Sequence, residues 1–190
     1  MAIILFLGQN VKAYNEKGSK LIKEIINSGS ILCEQCLQPM KYHSRYTRGI
    51  KETEQKIAIV MVWCESCKKW HALLPDFLLP YKHYSGNEIE SVFIDSTSMP
   101  VNQIETEASE STVKRWICQI GERVQRTMGI LKNLFGRLGK AINEAAIIPG
   151  SAYNELEQIL EMAPSAIKSS GNKLGLANIW LGTNTIRTYI

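Results

Sequence analysis

Two Cys-x-x-Cys pairs, Cys33/Cys36 and Cys64/Cys67, constrain the fold of this 190-residue chain more than any other feature of its sequence. Twenty-seven residues separate the pairs, which is long enough for a β-hairpin to bring the second pair over the first. Four thiolates satisfy the tetrahedral coordination of a structural zinc ion. The sequence therefore predicts one Zn²⁺ per chain, with Cys33, Cys36, Cys64 and Cys67 as its ligands. Because four sulfur ligands leave no coordination position for water, the predicted role of the ion is to stabilise the fold.

Two other interpretations of the cysteines stay open: two unrelated, redox-active pairs, and a rubredoxin-like iron site of similar spacing. The total of five cysteines is odd, which argues against a disulfide framework. Neither a secretory signal nor a membrane span is evident, so we expect a cytoplasmic protein, and in a reducing compartment such pairs bind metal more often than they oxidise. His71 is expected to be a strand residue beside Trp70 rather than a ligand, and Cys118 a small buried residue.

The hydrophobic pattern around the cysteines predicts a zinc ribbon. Apolar or β-branched composition predicts three buried strands, at residues 2–7, 57–63 and 70–74. Residues 42–46 alternate like a strand, residues 49–55 are polar enough for the hairpin turn, and the apolar spacing of residues 20–26 predicts a helix. The resulting order is strand, knuckle, strand, turn, strand, knuckle, strand, which is the order of a ribbon.

The chain after the ribbon is predicted to be helical. Ser85 and Glu88 have the spacing of a capping box, which predicts the start of a helix. A short helix is expected over residues 101–108. A long amphipathic helix is expected from Ser111 onwards, because apolar residues recur there at intervals of three and four.

The predicted fold class is α+β, with an N-terminal zinc ribbon containing a short antiparallel sheet packed on a C-terminal helical helix-turn-helix region. We divide the chain into a zinc-ribbon domain, a helix-turn-helix region and a helical tail, at residues 1–83, 84–148 and 149–190. The tail is expected to hold helices at residues 153–163 and 174–181, with a linker over residues 165–173 and Trp180 as an anchor.

The distribution of charge indicates a polyanionic partner. The net charge of +4 is mild. However, residues 84–110 carry six acidic and no basic side chains, whereas residues 1–83 and residues 111–150 each carry a net charge of +5. Such asymmetry is a better indication of a nucleic-acid partner than the total charge.

Residues 101–126 suggest how DNA is contacted. The helix at residues 101–108, a turn around Ser109 and the helix from Ser111 have the proportions of a helix-turn-helix, whose second helix enters the major groove. The predicted base contacts are Thr112, Lys114, Arg115 and Gln119, of which Arg115 suits guanine and Gln119 suits adenine. Arg123 and Arg126 are predicted to contact phosphates. An ordinary amphipathic surface helix with a solvated basic face remains the alternative.

The ribbon hairpin mixes aromatic and basic residues: Tyr42, Arg45, Tyr46, Arg48 and Lys51. Ribbons can place such a surface against nucleic acid, and Arg45 and Arg48 are predicted to contact DNA. The equally acceptable alternative is that the tyrosines pack on the ribbon core and the cations are solvated.

The sequence contains no recognisable catalytic set, and we do not expect an enzyme. Asp76 and Asp95 are the two aspartates of the chain, so a two-metal nuclease centre would have to rely on glutamates. No glycine-rich phosphate loop, GxSxG or HExxH motif occurs.

The stretch from Cys33 to Phe93 is similar to a family of uncharacterised bacterial proteins that share a domain of unknown function. The resemblance is carried by the two cysteine pairs, the Tyr-Arg hairpin and the run HALLPDFLLPY from His71 to Tyr81. The segment STVKRW, from Ser111 to Trp116, resembles the helix-turn-helix segment found downstream in such proteins. Relatives are often encoded beside transposases and other mobile elements. The resemblance implies a metal-binding ribbon followed by a DNA-binding unit, and it implies no catalytic activity.

The predicted function is therefore binding of double-stranded DNA, in the service of transcription control or of a mobile genetic element. A protein-interaction adaptor is the first alternative, in which the ribbon and the apolar tail dock a recombinase or a polymerase. An RNA-binding ribbon is the second alternative. The oligomeric state stays open.

Overall fold

The computed structural model describes residues 2–140, 142–163, 169 and 171–183. The protein is a mixed α+β fold, with its strands in the N-terminal half and its longer helices in the C-terminal half. The predicted fold class is confirmed.

Four strands form one sheet: β1 (Ala2–Leu5), β2 (Lys41–Ile50), β3 (Gln55–Cys64) and β4 (Lys69–Pro75). Their order across the sheet is β1-β4-β3-β2. The β2–β3 and β3–β4 pairs are antiparallel, as predicted. The β1–β4 pair is parallel, with Ile3 opposite Leu73, and it adds a fourth strand to the predicted short antiparallel sheet. A long connection that contains helices separates β1 from the ribbon, and such a crossover is what allows a parallel pair.

Helical segments before the first cysteine pair cover one face of this sheet. A short α1 (Val11–Ala13) continues through a π-helical segment (Tyr14–Gly18) into α2 (Ser19–Asn27). The hydroxyl of Tyr14 donates a hydrogen bond of 2.7 Å to the carbonyl of Ala58 on β3. Ile22 of α2 is buried in the same apolar cluster as the sheet residues, so the first core of the molecule lies between α2 and the sheet.

Four further helices form the C-terminal half: α3 (Gly86–Asp95), α4 (Glu110–Arg137), α5 (Ala152–Glu161) and α6 (Lys173–Thr183). They bury a second apolar cluster that draws on residues 79–181. Val113, Trp116, Ile120 and Val124 of α4 face this core, in agreement with the predicted helical spacing. The helix predicted at residues 174–181 falls within α6, and the one predicted at residues 153–163 corresponds to α5, which ends two residues earlier. Most of the predicted linker at residues 165–173 lies outside the described residues.

A carboxylate on α3 fixes the start of α6. Glu90 accepts hydrogen bonds from the backbone N–H groups of Lys173 at 3.1 Å and Leu174 at 2.9 Å, and from the hydroxyl of Tyr153 at 2.7 Å. The side-chain oxygen of Asn172 accepts from the N–H of Gly175 at 2.5 Å. Since the first turn of a helix has unsatisfied N–H groups, these contacts dock the C-terminal helix onto α3 and α5.

The predicted helix at residues 101–108 is wrong: one 3-10 turn, Val101–Gln103, forms there and the chain then continues without helix or strand up to α4. Tertiary contacts hold this irregular segment. The hydroxyl of Thr106 donates to Glu88 at 2.5 Å, and the hydroxyl of Tyr84 donates to the carbonyl of Glu107 at 3.3 Å. The first helix of the predicted helix-turn-helix is therefore absent from this described segment.

Two smaller expectations are also corrected. Cys118 is exposed rather than buried, because it lies on α4 off the face that Trp116 and Ile120 turn to the core. Ser85 caps α3 as predicted, accepting from the N–H of Glu88 at 3.1 Å. The reciprocal half of the capping box is replaced, since the N–H of Ser85 donates to Glu52 at 2.7 Å.

Candidate functional site

The four predicted ligands converge. The Sγ atoms of Cys33, Cys36, Cys64 and Cys67 all lie within 4.8 Å of one another, and those of Cys36 and Cys64 are 3.4 Å apart. A tetrahedral ion with Zn–S bonds of about 2.3 Å needs sulfur atoms about 3.8 Å apart. The cluster therefore has the dimensions and the donor chemistry of a four-sulfur metal site.

Each cysteine pair lies in a knuckle of the same local geometry. The residue after each pair has a positive φ angle, 56° at Leu37 and 52° at Lys68, a conformation that reverses the chain within a few residues. In the first knuckle the N–H of Cys33 donates to the carbonyl of Gln38 at 2.9 Å. In the second the N–H of Cys67 points at Sγ of Cys64, 3.4 Å away. Local backbone geometry thus turns both thiols of each pair towards a common centre.

The electrostatics of the cluster favour a bound cation. Burial raises the pKa of the Cys33 thiol, but hydrogen bonds from the backbone N–H groups of Cys36 and Gln35 stabilise its thiolate, and the net effect lowers the pKa. Hydrogen bonding to Cys36 and burial raise the pKa of Cys67. One thiol therefore ionises readily while a neighbour resists, because adjacent negative charges repel. A metal ion removes that conflict by accepting all four thiolates.

His71 lies on β4, opposite Val62 of β3, and is buried. Among the described residues the cluster consists of the four cysteines, and His71 lies outside it. The expectation that His71 is a strand residue beside Trp70 is confirmed by its position in the sheet.

A second site is a concave surface of about 460 Å³ where the segment after β4 meets α4. We call it the cationic pocket. Its charged lining residues are Lys51, Lys82, Arg115 and Arg123. No acidic residue is among its described lining residues, so the positive charges face one another across open space.

Lys82 is the central cation of this pocket. Burial lowers the pKa of Lys82, and the nearby positive charges of Arg123 and Arg115 lower it further. Its ammonium group donates to the side-chain oxygen of Gln119 at 2.8 Å. In the described part of the chain no ion pair within 4.0 Å involves Lys82, Arg115 or Arg123. The pocket therefore concentrates positive charge that the described carboxylates do not neutralise.

Two features of the sequence position these cations. On α4, residues 112, 115, 119 and 123 recur at intervals of three and four and so share one helical face. On the other wall, the guanidinium of Arg48 donates to the carbonyls of Leu79 and Lys82, and the N–H of Lys51 donates to the carbonyl of His83 at 2.9 Å. These bonds fix the backbone of residues 79–83, which presents Lys82 towards the helix.

The predicted DNA contacts are only partly brought together. Thr112, Arg115, Gln119 and Arg123 line the cationic pocket. Arg126 is exposed on the same helix, about 16 Å beyond Arg115 and close to the same helical face. Lys114 points elsewhere, forming a surface ion pair with Glu110 at 3.4 Å.

The two predicted contacts on the ribbon hairpin lie apart. Arg45 lines a separate concave surface beside α2, together with Tyr14, Lys23 and Tyr42. The guanidinium of Arg48 is held by backbone carbonyls, and its burial lowers its pKa. Arg48 therefore supports the pocket wall, and Arg45 belongs to another surface.

Sequence reasoning missed Lys82 and Tyr81 as site residues. Tyr81 is 87% exposed and has a φ angle of 62°, which is uncommon for a bulky residue. The backbone conformation leaves this large aromatic ring in solvent. The sequence signal that could have found it is Pro80-Tyr81-Lys82, an aromatic-basic pair after a proline. What the sequence did not reveal was that α4 lies opposite this pair.

Comparison with known protein families gives a match for the ribbon region and the start of α4. Residues 33–116 match the family described as a domain of unknown function, DUF6431. This region begins at the first cysteine ligand and ends in the first two turns of α4, so it contains the whole cysteine cluster and most of the cationic pocket. No curated protein and no solved structure matches the chain.

Among the described helices, none combines the length and the apolar character that a membrane span requires.

Proposed function

We propose that this chain is a DNA-binding protein, in which the four cysteines hold a structural Zn²⁺ ion and the cationic pocket binds the phosphates of double-stranded DNA. The observation that carries the proposal is that Lys82, Arg115 and Arg123 line one concave surface, close enough to influence one another, without a described acidic partner. Cations held together against their mutual repulsion indicate an anionic ligand, and phosphate contacts supply most of the affinity of DNA-binding proteins.

The choice of zinc rests on the donor set. Four thiolates in a tetrahedral arrangement suit Zn²⁺ or iron, and closed four-sulfur sites in small ribbons are typical of structural zinc. Bound to these four sulfurs, the ion would cross-link the two knuckles. Cys33 and Cys64, which are buried, would supply its inner ligands, and Cys36 and Cys67 those nearer the surface.

DNA contact in this proposal uses the N-terminal half of α4 together with residues 80–84, and it does not require a preceding short helix. Arg115 is the candidate for reading a base, since its side chain is exposed near the start of α4 and guanine is its usual partner. Lys82, Arg123 and Arg126 are phosphate contacts. We place this activity in the cytoplasm, in transcription control or in the service of a mobile genetic element, as the resemblance to proteins encoded beside transposases implies.

The adaptor alternative is weakened by the position of α6. Trp180 is buried and packs edge-to-face on Phe135, with ring centroids 4.9 Å apart. The described part of the apolar tail thus packs into the protein's own core, which leaves Trp180 unavailable to dock a partner. The exposed Leu32 and Leu37 of the first knuckle still favour a protein partner.

The test is binding of a labelled duplex measured by fluorescence anisotropy at several salt concentrations. We expect Lys82→Ala and Arg123→Ala to weaken all duplexes alike and to reduce the slope of log affinity against log salt by about one each. Arg115→Ala is expected to reduce sequence preference as well, with a loss of about 1–3 kcal/mol at its base.

Lys114→Ala is the matched control, since Lys114 is on the same helix but lies outside the pocket and pairs with Glu110. The affinity of Lys114→Ala for the duplex, and the slope of its log affinity against log salt, are expected to stay close to those of the unmodified protein. Equal binding by all four variants, or a salt-independent affinity, would contradict the proposal.

A further inference from the structure

The second face of the sheet carries a β-bulge that rearranges its side chains. Lys41 pairs with Trp63 and Ser44 pairs with Met61. Trp63 and Met61 are two residues apart on β3, so their side chains share one face. Lys41 and Ser44 therefore share that face although they are three positions apart, an odd spacing that would place them on opposite faces of a regular strand. His43 is the extra residue of the bulge.

The bulge separates the hairpin residues that looked like one surface in the sequence. Tyr42 and Arg45 face α2, where both line the same concave surface. Tyr46 and Arg48 face the opposite side, where they line a different one. The side of the sheet that carries Trp63 is the side without α2.

On that side, three aromatic rings from three neighbouring strands meet. We call them the aromatic cluster: His43 on β2, Trp63 on β3 and Trp70 on β4. The ring centroids are 6.3 Å apart for His43 and Trp63, 5.4 Å for His43 and Trp70, and 5.8 Å for Trp63 and Trp70. The Trp70 side chain is 57% exposed, so the cluster presents ring faces to solvent.

The aromatic cluster and the cationic pocket belong to one surface. A concave region of about 580 Å³ is lined by Tyr46, Met61 and Ala72 and by residues 80–83, and residues 80–83 also line the cationic pocket. Met61 pairs with Ala72 two residues along β3 from the Trp63–Trp70 pair, which is about 7 Å along the sheet. The surface therefore runs from the aromatic cluster past Tyr46 and the exposed Tyr81 to the cations of α4.

We propose that this surface binds an unpaired stretch of a DNA strand, with bases stacked on Trp70, His43 and Tyr81 and phosphates held in the cationic pocket. The proposal rests on the DNA-binding function proposed above and specifies its ligand, a duplex that continues into a single strand. Exposed aromatic rings beside cations are the combination that proteins use for single strands, because every unpaired base offers a π-face. In an uninterrupted duplex those faces are covered by neighbouring bases.

Charge argues for nucleic acid rather than for an apolar peptide on this surface. The end of the surface at α4 is lined by four cations and no described acidic residue. At the other end, Lys68 of the second knuckle is exposed two residues before Trp70. A peptide that covered the aromatic rings would leave these cations unused, whereas a strand with one phosphate per nucleotide would engage both groups.

The test compares labelled probes with the full-length protein: a blunt duplex, the same duplex with a single-stranded DNA overhang, and the same duplex with an RNA overhang. The overhang probe is expected to bind about tenfold more tightly than the blunt duplex. Trp70→Ala is expected to abolish this gain, and Trp70→Phe to keep most of it. Tyr42→Ala is the matched control, because Tyr42 is an exposed aromatic residue on the opposite face of β2, and it should keep the gain.

The outcomes separate this inference from the function on which it rests. Equal affinity for blunt and overhang DNA, with Arg115→Ala still weakening both, would overturn the unpaired-strand proposal and leave duplex binding intact. Absence of binding to every probe would overturn the DNA-binding function itself. Tighter binding of the RNA overhang than of the DNA overhang would overturn the assignment of the ligand to DNA.

Tryptophan fluorescence gives an independent readout. Trp63 and Trp70 lie in the aromatic cluster, whereas Trp116 and Trp180 are buried in the helical core. An unpaired strand is expected to quench part of the emission, and Trp70→Phe should remove most of the quenching while binding persists. Quenching that is unchanged in Trp70→Phe would contradict stacking on Trp70.

Discussion

The sheet half and the helical half of this protein are stabilised in different ways. In the sheet half, the two knuckles are short, and the buried cluster includes the ligands Cys33 and Cys64 themselves. In the helical half, no described cysteine is buried in the core, and Glu90 and Asn172 satisfy the start of the last helix. If the cysteine cluster binds the proposed Zn²⁺ ion, the sheet half depends on that ion, whereas the described contacts of the helical half are made by its own side chains.

The cationic pocket joins these two halves. Lys51 and Lys82 come from the sheet side, where Arg48 fixes the backbone, and Arg115 and Arg123 come from α4. A change that loosens either half is therefore expected to weaken DNA binding, although by different routes.

Removal of the metal is expected to have the largest effect. Structural zinc contributes about 10–16 kcal/mol to the folding of small zinc proteins. A strong chelator, or Cys64→Ser, should therefore unfold the knuckles and lower the melting temperature of the sheet half. Far-UV circular dichroism should retain most of its helical signal, since α4, α5 and α6 lie outside the ribbon.

Cys118→Ser is the control for this prediction, because Cys118 is exposed and distant in sequence from the knuckles. It is expected to melt like the unmodified protein. A chelator that leaves the melting temperature unchanged would contradict the claim that a bound ion stabilises the sheet half.

A substitution at the start of α6 is expected to weaken the helical half instead. A Cβ atom at Gly175 would overlap the carbonyl oxygen of Asp76 and the side chain of Asn172. Gly175→Ala should therefore cost about 1–3 kcal/mol of unfolding free energy, measured by urea titration, with the metal still bound.

Gly129→Ala is its matched control. Gly129 lies inside α4, and a Cβ there would meet no atom within 4 Å, so alanine should stabilise the protein by about 0.5–1 kcal/mol. If both substitutions changed the free energy of unfolding in the same direction, close packing around Gly175 would not explain the effect of Gly175→Ala.

The smallest predicted effect concerns Tyr14 and alkaline pH. Burial raises the pKa of Tyr14 from 10.0 to about 12. Because the folded-state pKa lies above the unfolded value, the protonated phenol stabilises the fold below pH 10, and this contribution is lost as the pH rises towards 12. Tyr14→Phe should be about 1 kcal/mol less stable at neutral pH.

Between pH 10 and 12 the stability of Tyr14→Phe should fall less than that of the unmodified protein. Urea titrations at pH 8 and above pH 10 check this. Parallel loss of stability in the two proteins would show that Tyr14 does not contribute to the pH dependence of the sheet half.

The metal site was predictable because its information is local. The two Cys-x-x-Cys spacings and the flanking strand patterns were enough to place four sulfur atoms around one centre, and the structure brings them within 4.8 Å. In a ribbon, a hairpin of nearby strands connects the two cysteine pairs. The cluster could therefore be predicted without knowing how the rest of the chain folds.

The cationic surface was predictable only in part, because it depends on tertiary contacts. Residues 101–108 were predicted to be helical, but Thr106 donates a hydrogen bond to Glu88 and the carbonyl of Glu107 accepts one from Tyr84, and beyond one 3-10 turn the segment is irregular. The bulge at His43 places Tyr42 on the same face as Arg45 and opposite Tyr46, and a period of two cannot reveal an inserted residue. Lys82 became part of the site only because α4 packs beside it.

The most direct test of the central claim is native mass spectrometry of the protein purified without added metal. We predict one Zn²⁺ per chain, with four thiol protons displaced, and loss of the ion in Cys64→Ser but not in Cys118→Ser. A metal-free mass with reduced thiols, a pair of disulfides, or bound iron would contradict the proposed structural zinc site and its proposed role in the fold of the sheet half.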